Sequence, residues 1–277
     1  MVGTDLVEII APSALAYKVL SPSAGLLGKE LEGWTERRLQ NLRNIGATLE
    51  HKFGVDDLDT PGELNPRVIR GLLDEGSYIE DDVATEYFAG VVAGSRSDDG
   101  KDDSGVTLIE VMNGLSSRQL RAHYAMYAAL QAVVAGRGDF APHTAEGSWR
   151  RVAVSQPELI QAILGDDIAR WDDGDAIGPV MRGLKRTDLI EPTGGWRFGA
   201  PDDLREEREA EWPGPALVFS ASNFGLELFC AAHGFTSMAD FGRPTAEFRP
   251  RFEADIVACQ AWIVSELPPP ASQEASP

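Results

Sequence analysis

A chain of 277 residues with 43% hydrophobic and 25% charged side chains has the balance of a folded globular protein, and is long enough for one large domain or two ordinary ones. Its net charge of −19 repels polyanions; residues 53–103 hold fourteen acids against four bases, and elsewhere no segment shows the basic stripe that general nucleic-acid binding requires. Cys230 and Cys259, without CxxC spacing and without a secretory leader, point to a reducing cytoplasm and against a disulfide framework.

The first stretch, "LVEIIAPSALAYKVLSPSAGLLG" at 6–28, is apolar over roughly a bilayer's length, but Glu8 and Lys18 lie inside it and Pro12 and Pro22 interrupt it. Both charges would be costly in hydrocarbon, so buried or protein-contact helices are expected. Attachment to a membrane surface is the alternative. Ser21 and Pro22 read as an N-cap and a first-turn proline. Leu27, Leu31, Trp34, Leu39, Leu42, Ile45 and Leu49 then recur at helical spacing, with Gly54 as the expected C-cap. Arg37, Arg38 and Arg43 form an expected solvated face.

Asn65-Pro66 opens another helix with Val68, Leu72 and Leu73 inward. Next comes "IEDDVATEYFAGVVAGSRSDDG", residues 79–100, in which carboxylates adjoin an apolar, glycine-studded helix. Glu80, Asp81 and Asp82 occupy its expected first turn, where negative charge meets unsatisfied N–H groups and the positive end of the helix dipole. A metal or acid–base site would need ligands converging from other elements, and no histidine or HExxH pattern lies nearby. Helix capping is therefore the expected role. Ala89, Gly90, Ala93 and Gly94 permit close approach of another helix and are the candidates for helix packing or self-association.

Two more helices are expected over 104–136, broken near Gly114-Leu115-Ser116, with Ser116 or Ser117 as cap. His123 sits among apolar residues and reads as a core or interface histidine. "GRGDFAPHTAEGSWRRV" reads as an irregular connection that exposes His143; "GSWRR" at 147–151 reads as a surface loop, with anion binding as the alternative. From Ser155 the pattern changes. "SQPELIQAILG" is a short helix capped by Ser155, and 175–187 is another that leads into "DLI". "GGWRFG" and "PALVFSA" have strand composition, and "SNFGLELFCAAHGF" resumes a helix capped by Ser222 or Asn223.

That order outlines a small winged-helix-like module. Its recognition helix would offer Arg182, Lys185 and Arg186 to nucleic acid. The expected wing loop opposes this with Asp202, Asp203, Glu206, Glu207, Glu209 and Glu211, because a wing touching phosphate should be basic. A helix over about 250–266, with Phe252, Ile256, Cys259 and Ile263 inward, is expected to close the fold. The tail "PPPASQEASP" is expected to be disordered. The expected architecture is mainly α: a multi-helix domain at 1–150, a winged-helix-like α+β module with a C-terminal helix at 151–267, and a tail at 268–277.

Three stretches together resemble the Abi-alpha (abortive infection alpha) family of prokaryotic proteins. They are "LSPSAGLLGKELEGWTERRLQNL", "LNPRVIRGLLDEGSYIEDDVATEYFAGVVAGS" and "SNFGLELFCAA", with "LIEVMNGLSSRQLRAHYAMY" in the place of the family's Leu-Ser-x-x segment. The resemblance spans about 15–235 and rests on packing motifs rather than chemistry. It implies a mostly helical protein associated with defence against bacteriophage, and supplies no catalytic residues. The acidic insert at 200–215 departs from the family's compact pattern.

No GxSxG, Cys-His pairing, phosphate-cradling loop or GxGxxG is present, so no catalytic, cofactor or metal residue is assigned. The expected function is non-enzymatic, cytoplasmic antiviral defence through protein contacts, with self-association into a homo-oligomer. The alternatives are a membrane-active effector using 6–28, peripheral at the inner membrane, and a winged-helix regulator binding DNA.

Overall fold

The computed structural model describes residues 36–58, 63–137, 151–165, 173–193, 195–198, 215–248 and 259–264. Helix predominates among them, with small antiparallel sheets. The chain divides into two compact units: Met1–Leu120 with Glu227–Asp240 and Phe248–Ala254, and Arg121–Leu226 with Phe241–Glu247 and Asp255–Pro277.

In the first unit, α1 (Glu36–Leu58) buries Leu42, Ile45 and Leu49 and packs on α3 (Asp82–Gly94). The helix does not stop at Gly54 as expected but runs four residues further. A glycine in an otherwise helical run weakens a helix by only about 1 kcal/mol, too little to end one by itself. The remainder of the predicted first helix, 21–35, lies outside the described residues. The helix α2 (Pro66–Asp74) starts as its sequence requires. The Asn65 side chain accepts from Arg67 N at 2.9 Å, and Pro66 fills the first turn, where a missing N–H costs nothing. Val68, Ile69, Leu72 and Leu73 form its buried stripe against α4 (Ser104–Asn113).

A 3-10 turn at Gly76–Tyr78 joins α2 to α3. Two short strands, β1 (Glu63–Leu64) and β2 (Arg96–Ser97), pair antiparallel and tie the start of α2 to the end of α3. α3 is buried all round from Val83 to Val92, the pattern of a central core helix rather than an amphipathic surface one. The break before α5 (Ser117–Val134) is a reciprocal cap. Gln119 N donates to Ser116 Oγ at 3.3 Å, and Ser116 N donates to the Gln119 side chain at 2.8 Å.

The second unit is built on a four-stranded antiparallel sheet in the order β4-β5-β3-β6. These strands are β3 (Arg151–Ser155), β4 (Trp196–Phe198), β5 (Ala216–Ser220) and β6 (Ala261–Ile263). β3 pairs with β5 from Arg151↔Ser220 to Ser155↔Ala216, and with β6 through Val152↔Ile263 and Val154↔Ala261. The helices α6 (Gln156–Leu164) and α7 (Asp173–Arg186) follow β3, and after β5 comes α8 (Asn223–Ala232), whose residues from Glu227 on belong to the first unit. β4, β5 and α8 lie where their composition predicts.

Two expectations fail in this sheet. Residues 151–152, read as the end of an irregular connection, begin the central strand; Val152, Ala153 and Val154 are fully buried. Residues 261–263, read as helix, are the strand that closes the far edge of β3. Ala153 and Val154 can be buried only if the ladder is satisfied on both sides, and "AWI" supplies the second side. Cys259 and Ile263 are buried as expected, but Ile263 lies on β6 and Cys259 just before it rather than on one helical face.

The caps also differ in part from expectation. Ser155 holds the N-cap position of α6 without a side-chain capping bond. Ser222 caps α8, with Gly225 N donating to its Oγ at 2.9 Å. α7 ends through Asp188 at φ 56, a left-handed conformation that aspartate tolerates, and Leu189 N returns to Leu184 O at 2.9 Å.

Candidate functional site

Each acid of the 80–82 group has its own position. Asp81 is the N-cap of α3, its Oδ1 accepting from Ala84 N at 3.1 Å. Asp82 lies in the first turn and is exposed. Glu80 points outward and pairs with Arg37 Nε at 3.0 Å. Among the described residues, no three of His, Cys, Asp and Glu gather where a metal could be held. The expected arginine face of α1 is more engaged than its exposure implies. Arg38 donates to Ser77 Oγ at 2.9 Å and lies over the Tyr78 ring at 4.2 Å, while Asn41 donates to Ser77 O at 2.9 Å. Tyr78 is 65% exposed.

The small-residue face is used inside the first unit. A Cβ at Gly90 would overlap the Ala232 carbonyl of α8 and lie 2.7 Å from Ala231 O, and one at Gly94 would lie 3.8 Å from the Gly234 main chain. Ala89 and Gly90 are buried and Ala93 and Gly94 half-buried. The packing role is therefore filled by the chain's own α8, so Ala89 and Gly90 are not on an outer surface that a second copy could reach.

Beside this helix the first unit holds an open groove of about 380 Å³, within the size range of ligand and side-chain sites. Phe88, Met112, Leu115 and Leu120, all buried, form its floor. Glu75, Glu80 and Asp81 stand on its rim beside Tyr78. The sequence reading missed it, although "DEGSYIEDD" carries the signal: an aromatic flanked by acids in a tight turn between two core helices.

In the second unit, α7 is sharply two-sided. Ile177, Val180, Met181 and Leu184 are buried, while Arg182, Lys185 and Arg186 are exposed and make no ion pair among the described residues. The buried polar groups of this unit are bound to main chain. His123 Nε2 donates to Gly225 O at 3.1 Å, and its ring stacks on Tyr127 with centroids 4.4 Å apart. Tyr127 donates to Leu189 O at 2.7 Å and accepts from Ser222 N at 3.1 Å; only a residue without Cβ at 225 leaves room for that hydroxyl. Burial pushes the His123 pKa down to about 3, outweighing the bond to Gly225. Burial, aided by the Glu158 carboxylate, pushes the Cys259 thiol up to about 12. In the first unit, His233 Nδ1 donates to Phe229 O at 2.7 Å within a cluster of Phe229, Phe235 and Phe248.

Other expected features fall outside the described residues: 6–28, His143 and most of "GSWRR", all but the last residue of the acidic insert at 200–215, most of the closing helix, and the tail at 268–277. No described helix is long and apolar enough to cross a membrane. Compared with protein-family models, curated proteins and solved structures, the chain matches none.

Proposed function

We propose that this chain is a non-catalytic contact protein of the cytoplasm, of the abortive-infection type that its resemblance to the Abi-alpha family implies, working through protein partners and self-association. The observation that carries the contact reading is the second unit's topology. Strand, helix, helix, strand, strand run in that order from β3 to β5, and the sheet orders them β4-β5-β3. We read this order as winged-helix-like, with α7 as the helix that such modules turn outward. Its cations project while its apolar side is buried. The reading is further supported by the two buried histidines and Cys259, which serve packing and main-chain bonding.

Light scattering on the full chain tests it. Species heavier than the 30.0 kDa monomer are expected at micromolar concentration, and a monomer under every condition removes self-association. A second reading, nucleic-acid contact, is favoured by one observation: Arg182, Lys185 and Arg186 lie together on α7 without ion-pair partners among the described residues. The net charge of −19 opposes it. Anisotropy of a labelled duplex at low salt decides: retention lost in Arg182→Ala/Lys185→Ala/Arg186→Ala establishes it, and no retention eliminates it.

A further inference from the structure

Two surfaces of the molecule carry opposite charge that the described residues match only in part, Glu80 and Asp81 being engaged by Arg37 and the α3 amides. On the groove of the first unit, Glu75 is exposed and makes no ion pair among them, and Glu80 has only the exposed Arg37 at 3.0 Å. Below that rim the lining includes the apolar side chains of Phe88, Met112, Leu115 and Leu120, each less than a tenth exposed, so only their edges reach the groove. On α7 of the second unit, Arg182, Lys185 and Arg186 project within five residues.

Arginine and lysine suit such a groove for a specific reason. Their aliphatic stems lie along apolar surface while their charged heads reach for carboxylates at the edge. A hollow of about 380 Å³ is too small for a helix about 10 Å across, but it accepts the ends of long side chains from a helix laid over it. We propose that the groove receives the Arg182–Lys185–Arg186 stripe of a second copy of this chain. The proposal rests on the self-association reading and names its interface, in place of the small-residue face that α8 already covers.

Ionic strength gives the contact a signature. Two chains of net charge −19 repel at long range, and this repulsion is strong when the Debye length is about 30 Å at 0.01 M salt. Near 0.15 M that length falls to about 8 Å, so the whole-molecule repulsion fades while pairs in direct contact persist. Toward 1 M the contact pairs are screened as well. Association should rise and then fall with salt.

The experiment is sedimentation velocity on the full chain and two charge-reversed variants, Glu75→Arg/Glu80→Arg and Arg182→Glu/Arg186→Glu, each checked for an unchanged melting curve. All four positions are exposed, so folding should survive. Each variant alone should associate at least tenfold more weakly than the parent chain. An equimolar mixture should recover the association, because the reversed groove then meets the reversed helix and the two native surfaces meet each other. A mixture that stays monomeric overturns the pairing. Variants that associate as well as the parent overturn the interface while leaving self-association intact. A parent chain that is monomeric at every salt concentration overturns both.

Discussion

Burial holds His123 neutral, against the Gly225 carbonyl bond that favours its charged form, and this links the second unit's stability to pH. Its pKa falls from 6.5 in the open chain to about 3 in the fold. A group with a depressed folded pKa contributes fully above its unfolded value and is lost as pH falls toward the folded one. As pH falls from 6.5 toward 3, the unfolded chain takes up this proton before the fold does, so stability should drop, on the order of 1 kcal/mol per pH unit. Urea melts at pH 7 and pH 5 measure the drop, and His123→Gln should flatten it. An equal acid loss in that variant would assign the effect to other groups.

Gly90 makes the opposite case, where shape rather than charge decides. Alanine would gain about 1 kcal/mol in helix propensity. A Cβ there, however, meets the main-chain carbonyl of Ala232, which cannot swing aside as a side-chain end would. Overpacking of this kind costs roughly 1–3 kcal/mol, and contact with backbone belongs at the upper end. Gly90→Ala should lower Tm by roughly 5 °C. Calorimetry reporting an unchanged Tm would mean that α3 and α8 lie further apart.

At the scale of elements, the legible parts were those whose signal is local. Asn65-Pro66 opens a helix because its bonds close within three residues, and the Ser116–Gln119 reciprocal cap is equally short-range. Asp81 likewise declares its role through an amide three residues on. β3 was illegible because only Val152, Ala153 and Val154 mark it, too short a run to separate from a loop without knowing its partners at 216–220 and 261–263. β6 misled for a related reason. Its apolar spacing fits a helix as well as a strand until the open edge of β3 is in view. The groove was hidden because its floor comes from α3, α4, α5 and the turn between them, a convergence that no single segment states. Ending the chain at Ala258 should strip β3 of its second neighbour and leave an unpaired apolar edge. Heating that shortened chain should give turbidity well below the parent's melting point; equal solubility would show that β6 is dispensable.

For the whole molecule, charge and burial act in concert. With a sequence pI near 4.5, acidification removes the repulsion that keeps copies apart while it also weakens the second unit through His123. Loss of solubility below about pH 6 thus has two separable causes, and the His123→Gln chain retains only the first. The same separation applies to self-association, where long-range repulsion and short-range pairing respond to salt over different ranges.

The register Val152↔Ile263 also sets a timetable for synthesis. A ribosome that has just extruded the central strand must add more than a hundred further residues before its last neighbour emerges. At about 5–20 residues per second this takes on the order of ten seconds. Throughout that interval the nascent chain displays an open β edge, so the growing polypeptide, rather than the finished protein, is where chaperone occupancy should be greatest.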